Sequence, residues 1–465
     1  MSSSKECKRS PKQKTKTQIS GWGNYPVIES TPFTARHINE IPQIIQSVQQ
    51  HTTSISPPPS LIASGLRRSY GDSALAEHTL QTRTLNHFLS FDDTHGIVHC
   101  AAGVSLAELL NVFVPKGWFL PVTPGTQFVT VGGAIASDVH GKNHHLDGCF
   151  SQHIINLTLC VASGEEISCS LTQHRELFLA TCGGMGLTGI ITSATLKLIP
   201  IESAFINEAT WKTDHLAETL ELFEAHQSTT YSVAWIDCLT KGKHLGRSLL
   251  MLGEHASQQH RENSEKNFQT ASPSQLSVPI NMPSALLNSL TVKAFNTLYY
   301  HKTRQKKSQR IVHYAPYFYP LDSIQNWNRL YGKKGFTQYQ FVLPKAAGLK
   351  GLTEILTQIV NSKRGSFLAV LKVFGAHNAN YLSFPMEGYT LAIDFKIDPT
   401  LFDFLAQLDQ IVLHYGGRIY LAKDARMSEQ TFKQSYPNWE IFQTVRQQYG
   451  ADQTFNSLQS QRLGL

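Results

Sequence analysis

The sequence predicts an α+β fold in two units, on three observations. Residues up to about 200 alternate strand-like and helix-like runs. From about 203 to 415 the runs become aromatic-rich and strand-like, with helices between them. The chain of 465 residues is also too long for one ordinary core.

The elements follow in order. Residues 1–19 read as a disordered basic tail, with Lys5, Lys8, Arg9, Lys12, Lys14 and Lys16 and no apolar stretch. Residues 39–50 carry Ile41, Ile44, Ile45 and Val48 at helical spacing, with Asn39 as the expected cap. Leu61-Ile-Ala starts a strand behind a triple-proline turn, and Asp92-Asp-Thr-His-Gly96 reads as a hairpin turn. Ser105-Leu-Ala-Glu108 is a capping box opening a helix that ends before Pro115. Strand-like runs cover 338–343, 367–374 and 390–395, and the polar stretch from Glu254 to Gln275 is expected to be a mobile loop.

Composition excludes some classes. Apolar residues at 41% and aromatics at 10% suit a globular chain, and no run of about eighteen apolar residues exists to span a bilayer. The N-terminus lacks an apolar signal region, which argues for a cytoplasmic start. Seven cysteines in no framework spacing suit reduced, mostly buried thiols. The net charge of +7 gives no ground for a nucleic-acid partner and fits an anionic substrate or a lipid surface. Leu298-Tyr-Tyr-His-Lys-Thr-Arg-Gln-Lys-Lys307 reads either as a solvated charge run or as a peripheral contact with a membrane.

Three glycine-rich segments carry the chemistry. Residues 130–145 combine Gly132 and Gly133 with small residues, Lys142 as a fixed charge, and His140, able to exchange a proton near neutral pH. This pattern fits a cradle for a large phosphorylated cofactor. Gly65-Leu-Arg-Arg-Ser-Tyr-Gly-Asp72 adds glycines, a hydroxyl and two guanidiniums suited to a pyrophosphate. Gly184, Gly186 and Gly189 spell G-x-G-x-x-G, but helix precedes and strand follows, the reverse of a Rossmann fingerprint. His140, His144 and His145 invite a metal reading, set aside because no carboxylate or thiolate accompanies them closely and the glycine–lysine setting suits phosphate.

Together these segments resemble the vanillyl-alcohol-oxidase, or PCMH-type, FAD-binding fold, and within it the decaprenylphosphoryl-β-D-ribose 2-oxidase family. The resemblance runs from Ser20-Gly-Trp-Gly23 through Pro124-Gly-Thr126, Val139-His-Gly-Lys-Asn-His-His145, Tyr231-Ser-Val-Ala-Trp-Ile-Asp237 and Gln338-Tyr-Gln-Phe-Val-Leu-Pro344 to Tyr420-Leu-Ala-Lys-Asp-Ala-Arg426. It implies a two-subdomain FAD-binding domain over 20–202, a substrate domain over 203–415 with an antiparallel sheet roofing the flavin, and a return to the FAD domain over 416–465.

The resemblance also implies site residues. Lys423 and His140 match catalytic positions. Gly65, Leu66, Arg68, Ser69, Tyr70, Gly71, Asp72, Gly125, Thr130, Val131, Gly132, Gly133, Ser137, His140, Ile191 and Tyr420 match cofactor-binding ones, Tyr420 on the same strand as Lys423. Trp235, Gln338, Gln340, Lys372 and Lys423 match the substrate pocket. Tyr70 stands where lactone oxidases of the superfamily carry a flavin-linked histidine, implying non-covalent FAD.

The implied reaction is oxidation of the 2′-hydroxyl of a polyprenyl-phospho-β-D-ribofuranose, the first half of an epimerisation to the arabinose form in cell-wall arabinan synthesis. A short-chain reductase would complete it, in the cytoplasm or at the inner membrane. The alternatives are a soluble sugar or aldonolactone oxidase and a non-catalytic flavin-binding scaffold. Three positions depart from the family pattern. Ser64 and Arg67 replace the first and fourth residues of the loop Arg-Gly-Leu-Gly-Arg-Ser-Tyr-Gly-Asp, and Ala392 replaces a pocket cysteine.

Overall fold

The computed structural model describes residues 15–50, 60–257, 268–270, 276–283 and 287–465. Most of the expected basic tail, the triple proline, Cys7 and most of the 254–275 loop lie outside the described residues.

Three sheets organise the chain, and the fold is α+β as the sequence predicts. The first is small, in the order Thr17–Ser20, Val27–Thr34, His78–Gln81, Leu61–Ser64, with its last three strands parallel. Helix Ile41–Gln50 covers it by burying Ile41, Ile44, Ile45 and Val48, the predicted stripe. Asn39 is not its cap. It lies inside a 3-10 turn, Ile38–Glu40, and the helix starts beyond it with Pro42 in the first turn, where a missing N–H costs nothing.

The second sheet is antiparallel, in the order Phe88–Asp92, Ile97–Ala101, Ile190–Lys197, Ile154–Cys160, Glu166–Cys169. Its first hairpin turns at Asp92–Gly96 as expected. The capping box is present: Ser105 Oγ accepts from Glu108 N–H at 3.2 Å and Glu108 Oε2 accepts from Ser105 N–H at 2.7 Å. Helix Leu106–Phe113 follows, and Val114–Lys116 closes it as a 3-10 turn. The six described cysteines are unpaired and buried.

The third sheet has eight antiparallel strands among the described residues. Their order is Lys307–His313, Phe205–Thr213, Ser248–His255, Tyr231–Ile236, Ala369–Phe374, Gly388–Lys396, Phe336–Pro344, Arg418–Ile419. Alternation along each strand sends Leu371, Leu391, Ile393 and Phe341 into an apolar core, shared with helices Gly348–Ser362 and Leu401–His414. The same alternation places Trp235, Lys372, Thr390, Ala392, Asp394, Gln338 and Gln340 together on the other face.

Residues 420–465 then run back to the first sheet. Leu61 N–H donates to Thr454 O at 3.1 Å and Asn456 N–H to Leu61 O at 3.2 Å. Arg446, wholly buried, donates to Leu187 O, Phe455 O, Asn456 Oδ1 and Gln443 Oε1, so backbone and amide oxygens rather than a carboxylate accept its hydrogen bonds. No described helix is long and apolar enough to cross a membrane.

Candidate active site

The glycine segments meet each other. A Cβ on Gly65 would lie 2.4 Å from Thr130 Oγ1, and one on Gly71 would lie 1.8 Å from Asp424 O, so neither position admits a side chain. Thr130 Oγ1 accepts from Gly133 N–H at 3.1 Å and caps the short helix Val131–Ala136. Val131 and Ile191 are core residues, leaving only their backbones for a ligand. A Cβ on Gly125 would meet nothing within 4 Å, so this turn is open to a neighbour. Arg68 stacks on Trp22 at 3.9 Å, yet its Nε is buried with no hydrogen-bond partner. Burial disfavours its charge, which the nearby Asp322 partly supports. An open glycine turn and an orphaned guanidinium nitrogen fit an anionic, pyrophosphate-bearing cofactor.

Ser69 and Tyr70 offer their carbonyls to Trp22 and Gly23 N–H, fixing the loop against Ser20-Gly-Trp-Gly23. The Asp72 carboxylate faces Arg462, at 2.8 Å, which also pairs with Asp424 at 2.9 Å. Asp72 is thus tied up within the protein. Leu66 is half-buried in this loop, and Ser137 O accepts from Tyr420 OH at 3.1 Å. Tyr420 and Lys423 do not share a strand: the strand ends at Ile419 and Lys423 closes a 3-10 turn, Leu421–Lys423. That turn is drawn to the glycine loop by Tyr70 N–H donating to Ala422 O at 3.1 Å.

The polar face of the large sheet meets these loops. Lys423 Nζ sits 4.1 Å from the Tyr70 ring centre. Gln338 Nε2 donates to Asp394 Oδ1 at 2.7 Å and to Tyr70 OH at 3.4 Å, and Tyr331 OH donates to Asp394 Oδ2 at 3.2 Å. Burial lifts the Asp394 carboxyl to about 7, and burial lowers the Lys423 ammonium to about 7 against the support of Asp394. Each group disfavours its own charge and favours its partner's, so the two titrate as a pair.

Across the pocket, Gln340 Nε2 lies 3.1 Å from His140 Nε2 and 3.3 Å from Thr390 Oγ1. Phe374 and Tyr420 pack on the His140 ring at 4.6 and 5.5 Å. Burial, aided by the charges of Lys372, His144 and Lys423, pushes His140 well below the usual histidine range. The expected exchange near neutral pH therefore does not hold; this imidazole is neutral. Lys142 is no fixed charge either. It donates to Tyr317 O, sits 4.2 Å from the Tyr317 ring centre, and burial lowers it to about 7. Lys372 is lowered by burial to about 8. Trp235 lies on the same face, donates Nε1–H to Phe367 O at 3.0 Å and packs on Tyr299 at 4.8 Å. Lys142 and Lys423 thus both feel the charge of Lys372, with Glu208 supporting the first and Asp394 the second.

Known proteins bear on this arrangement. Residues 33–170 match the FAD binding domain family. The decaprenylphosphoryl-beta-D-ribose oxidase of Mycolicibacterium smegmatis is 35% identical over 97% of this chain and 98% of its own. The chain belongs to the decaprenylphosphoryl-β-D-ribose oxidase family. As a member of that family it is an FAD-dependent oxidoreductase. Other flavoenzymes match only in part: the L-gulonolactone oxidase of Scyliorhinus torazame is 26% identical over 39% of this chain and 40% of its own. The D-arabinono-1,4-lactone oxidase of Yarrowia lipolytica is 34% identical over 21% of this chain and 19% of its own.

Against the family pattern, Arg67 takes a left-handed conformation, φ +50°, at the position of a glycine. The arginine bears the strain of that left-handed backbone. Ala392 stands opposite Gln340 and Val370 in the sheet register, so no thiol faces the pocket there. Asp394, Tyr331 and Thr390 were not singled out from the sequence. An aspartate two residues from Ala392, between Ile393 and Phe395, was the available signal for the first.

Proposed function

We propose that this enzyme oxidises the 2′-hydroxyl of a polyprenyl-phospho-β-D-ribofuranose to the 2-keto sugar, with FAD held non-covalently. The observation that carries this reading is the meeting of Lys372, on the polar face of the large sheet, with His140 and Lys142 of the glycine segment and Lys423 of the 3-10 turn in one buried region. A phosphorylated sugar supplies negative charge beyond that of Asp394, and a 35% identical relative is named for such a substrate.

Bound FAD supplies the acceptor for the hydride leaving C2′. Lys142 and Lys372 hold the phosphate, and Gln340 with Thr390 orients the ribose. Trp235 forms the apolar wall. The hydroxyl proton goes to Lys423, divided between amine and ammonium near pH 7, while neutral His140 orients the hydroxyl by a hydrogen bond. Gly65, Leu66, Arg68, Ser69, Tyr70, Gly71, Gly125, Thr130, Gly132, Gly133 and Ser137 hold the cofactor, with Asp72 keeping its loop in place through Arg462. Residues 20–202 and 416–465 serve the flavin and 203–415 the substrate. A short-chain reductase completes epimerisation to the arabinose form at the inner membrane face.

The test is anaerobic mixing of the purified yellow protein with farnesyl-phosphoryl-β-D-ribofuranose, followed by acid precipitation. Bleaching of the flavin band, with flavin released by acid, is expected. A flavin that stays oxidised with this substrate but is reduced by a free sugar or lactone moves the assignment to a soluble sugar oxidase.

A further inference from the structure

Charge is unevenly distributed along this chain. Residues 266–321 contain no aspartate or glutamate but seven basic residues, Lys266, Lys293, Lys302, Arg304, Lys306, Lys307 and Arg310. Of the whole chain's 41 basic and 34 acidic residues, this stretch therefore supplies the entire excess of +7. The same stretch holds the four most exposed large apolar side chains among the described residues. They are Leu290 at 78%, Leu298 at 74%, Leu276 at 67% and Ile280 at 65%.

Helix Ser289–Lys302 concentrates both properties. Its inner face is fixed to the substrate sheet: Val292, Asn296 and Tyr300 are buried, and Asn296 Nδ2 donates to Asp237 Oδ1 at 3.1 Å and Ser366 O at 3.2 Å. Its outer face should then be polar, as on most surface helices. Instead Leu290, Ala294 and Leu298 recur at i, i+4 and i+8 along the exposed side, with Phe295 beside them. Lys293, Lys302 and Arg304 stand around that ridge without an ion pair among the described residues, whereas Lys306 is held by Asp214 and Glu218 and Arg310 by Glu208. Lys302 sits 5.3 Å from the Tyr299 ring centre, and an apolar ridge bordered by cations without carboxylate partners is the pattern of a helix lying in a bilayer interface.

We propose that the outer face of helix Ser289–Lys302 docks on an anionic lipid bilayer and presents the pocket to a membrane-held substrate. The partner reading rests on the proposed polyprenyl substrate, while the surface itself stands on charge and exposure. Its relation to the pocket supports the pairing. Tyr299 of this helix packs on Trp235, and Phe295 packs on Phe367, which stacks on Tyr331, the donor to Asp394. Aromatic side chains thus connect the exposed ridge to the pocket wall.

Sedimentation of the full flavin-loaded chain with vesicles tests this. Phosphatidylcholine vesicles containing phosphatidylglycerol are compared with phosphatidylcholine alone, at low and high salt. The expected result is salt-sensitive binding to the anionic vesicles, weakened at least about tenfold both in Leu290→Ser with Leu298→Ser and in Lys293→Glu with Lys302→Glu. Equal binding to both vesicle types, or binding unchanged in both double variants, overturns the proposal. So does tighter, variant-sensitive binding to duplex RNA than to anionic vesicles. Reduction of the flavin by the short farnesyl substrate should be unchanged in the Leu290→Ser, Leu298→Ser protein. If wild type binds vesicles but this substrate fails to reduce it, the surface stands and the substrate reading falls.

Discussion

Asp394 shows how one carboxylate sets the charge state of a whole pocket wall. Its negative form supports the Lys423 ammonium, so Asp394→Asn should move the Lys423 limb of the pH profile for flavin reduction to lower pH, by roughly one unit. A profile that falls in amplitude without shifting assigns Asp394 a packing role only. In the absence of ligand, the pair also makes stability pH-dependent. Lys423 has a folded value of about 7 below its ordinary 10.5, so the unfolded chain binds its proton more readily between those values. Its contribution is fully present above 10.5 and lost as pH falls through 7. Asp394, raised to about 7 from 3.8, acts oppositely: its contribution is present below 3.8 and lost as pH rises through 7. Arg67 offers a simpler test. Arg67→Gly should stabilise the protein by about 1 kcal/mol, measured by denaturant unfolding, because glycine accepts φ +50° without strain.

Among the elements, those with local signals were legible in the sequence. The isoleucine–valine stripe of helix Ile41–Gln50, the Asp92–Gly96 hairpin and the Ser105–Glu108 box all depend on residues within one or two turns. Ser105→Ala should cost about 1 kcal/mol by removing that cap. Burial pushes Glu108 up, but hydrogen bonds from Arg83 and Ser105 prevail and bring it to about 2. Its contribution is present above 4.5 and lost as pH falls toward 2, an effect that Ser105→Ala should reduce in acid titrations. The pocket was legible only where resemblance supplied it. Gln338, Gln340 and Lys372 do share a face, but strand alternation alone cannot say which strands are neighbours. Asp394 and Tyr331, separated by 63 residues in sequence, meet only through the fold. The expected cap at Asn39 falls inside a 3-10 turn ahead of Pro42, and the strand expected to carry Tyr420 and Lys423 ends at Ile419, where the chain turns toward the glycine loop.

In the whole molecule, Arg462 reaches across 390 positions to Asp72 and also holds Asp424 beside Lys423. No pattern in the sequence marks that contact. Arg462→Ala leaves buried Asp72 without its cation and Asp424 with Arg426 and two backbone N–H groups alone, and should cost about 3 kcal/mol and loosen the cofactor. The checks are flavin content after gel filtration and the midpoint of thermal unfolding. Retained flavin with an unchanged midpoint shows that the loops hold without it. Residues 451–465 also supply Thr454, Phe455 and Asn456 to the edge of the first sheet at Leu61. On the ribosome, the first 200 residues emerge long before these partners exist. The glycine loops are finished only after synthesis has passed Arg462, so tight loading with the cofactor has to follow the emergence of that segment.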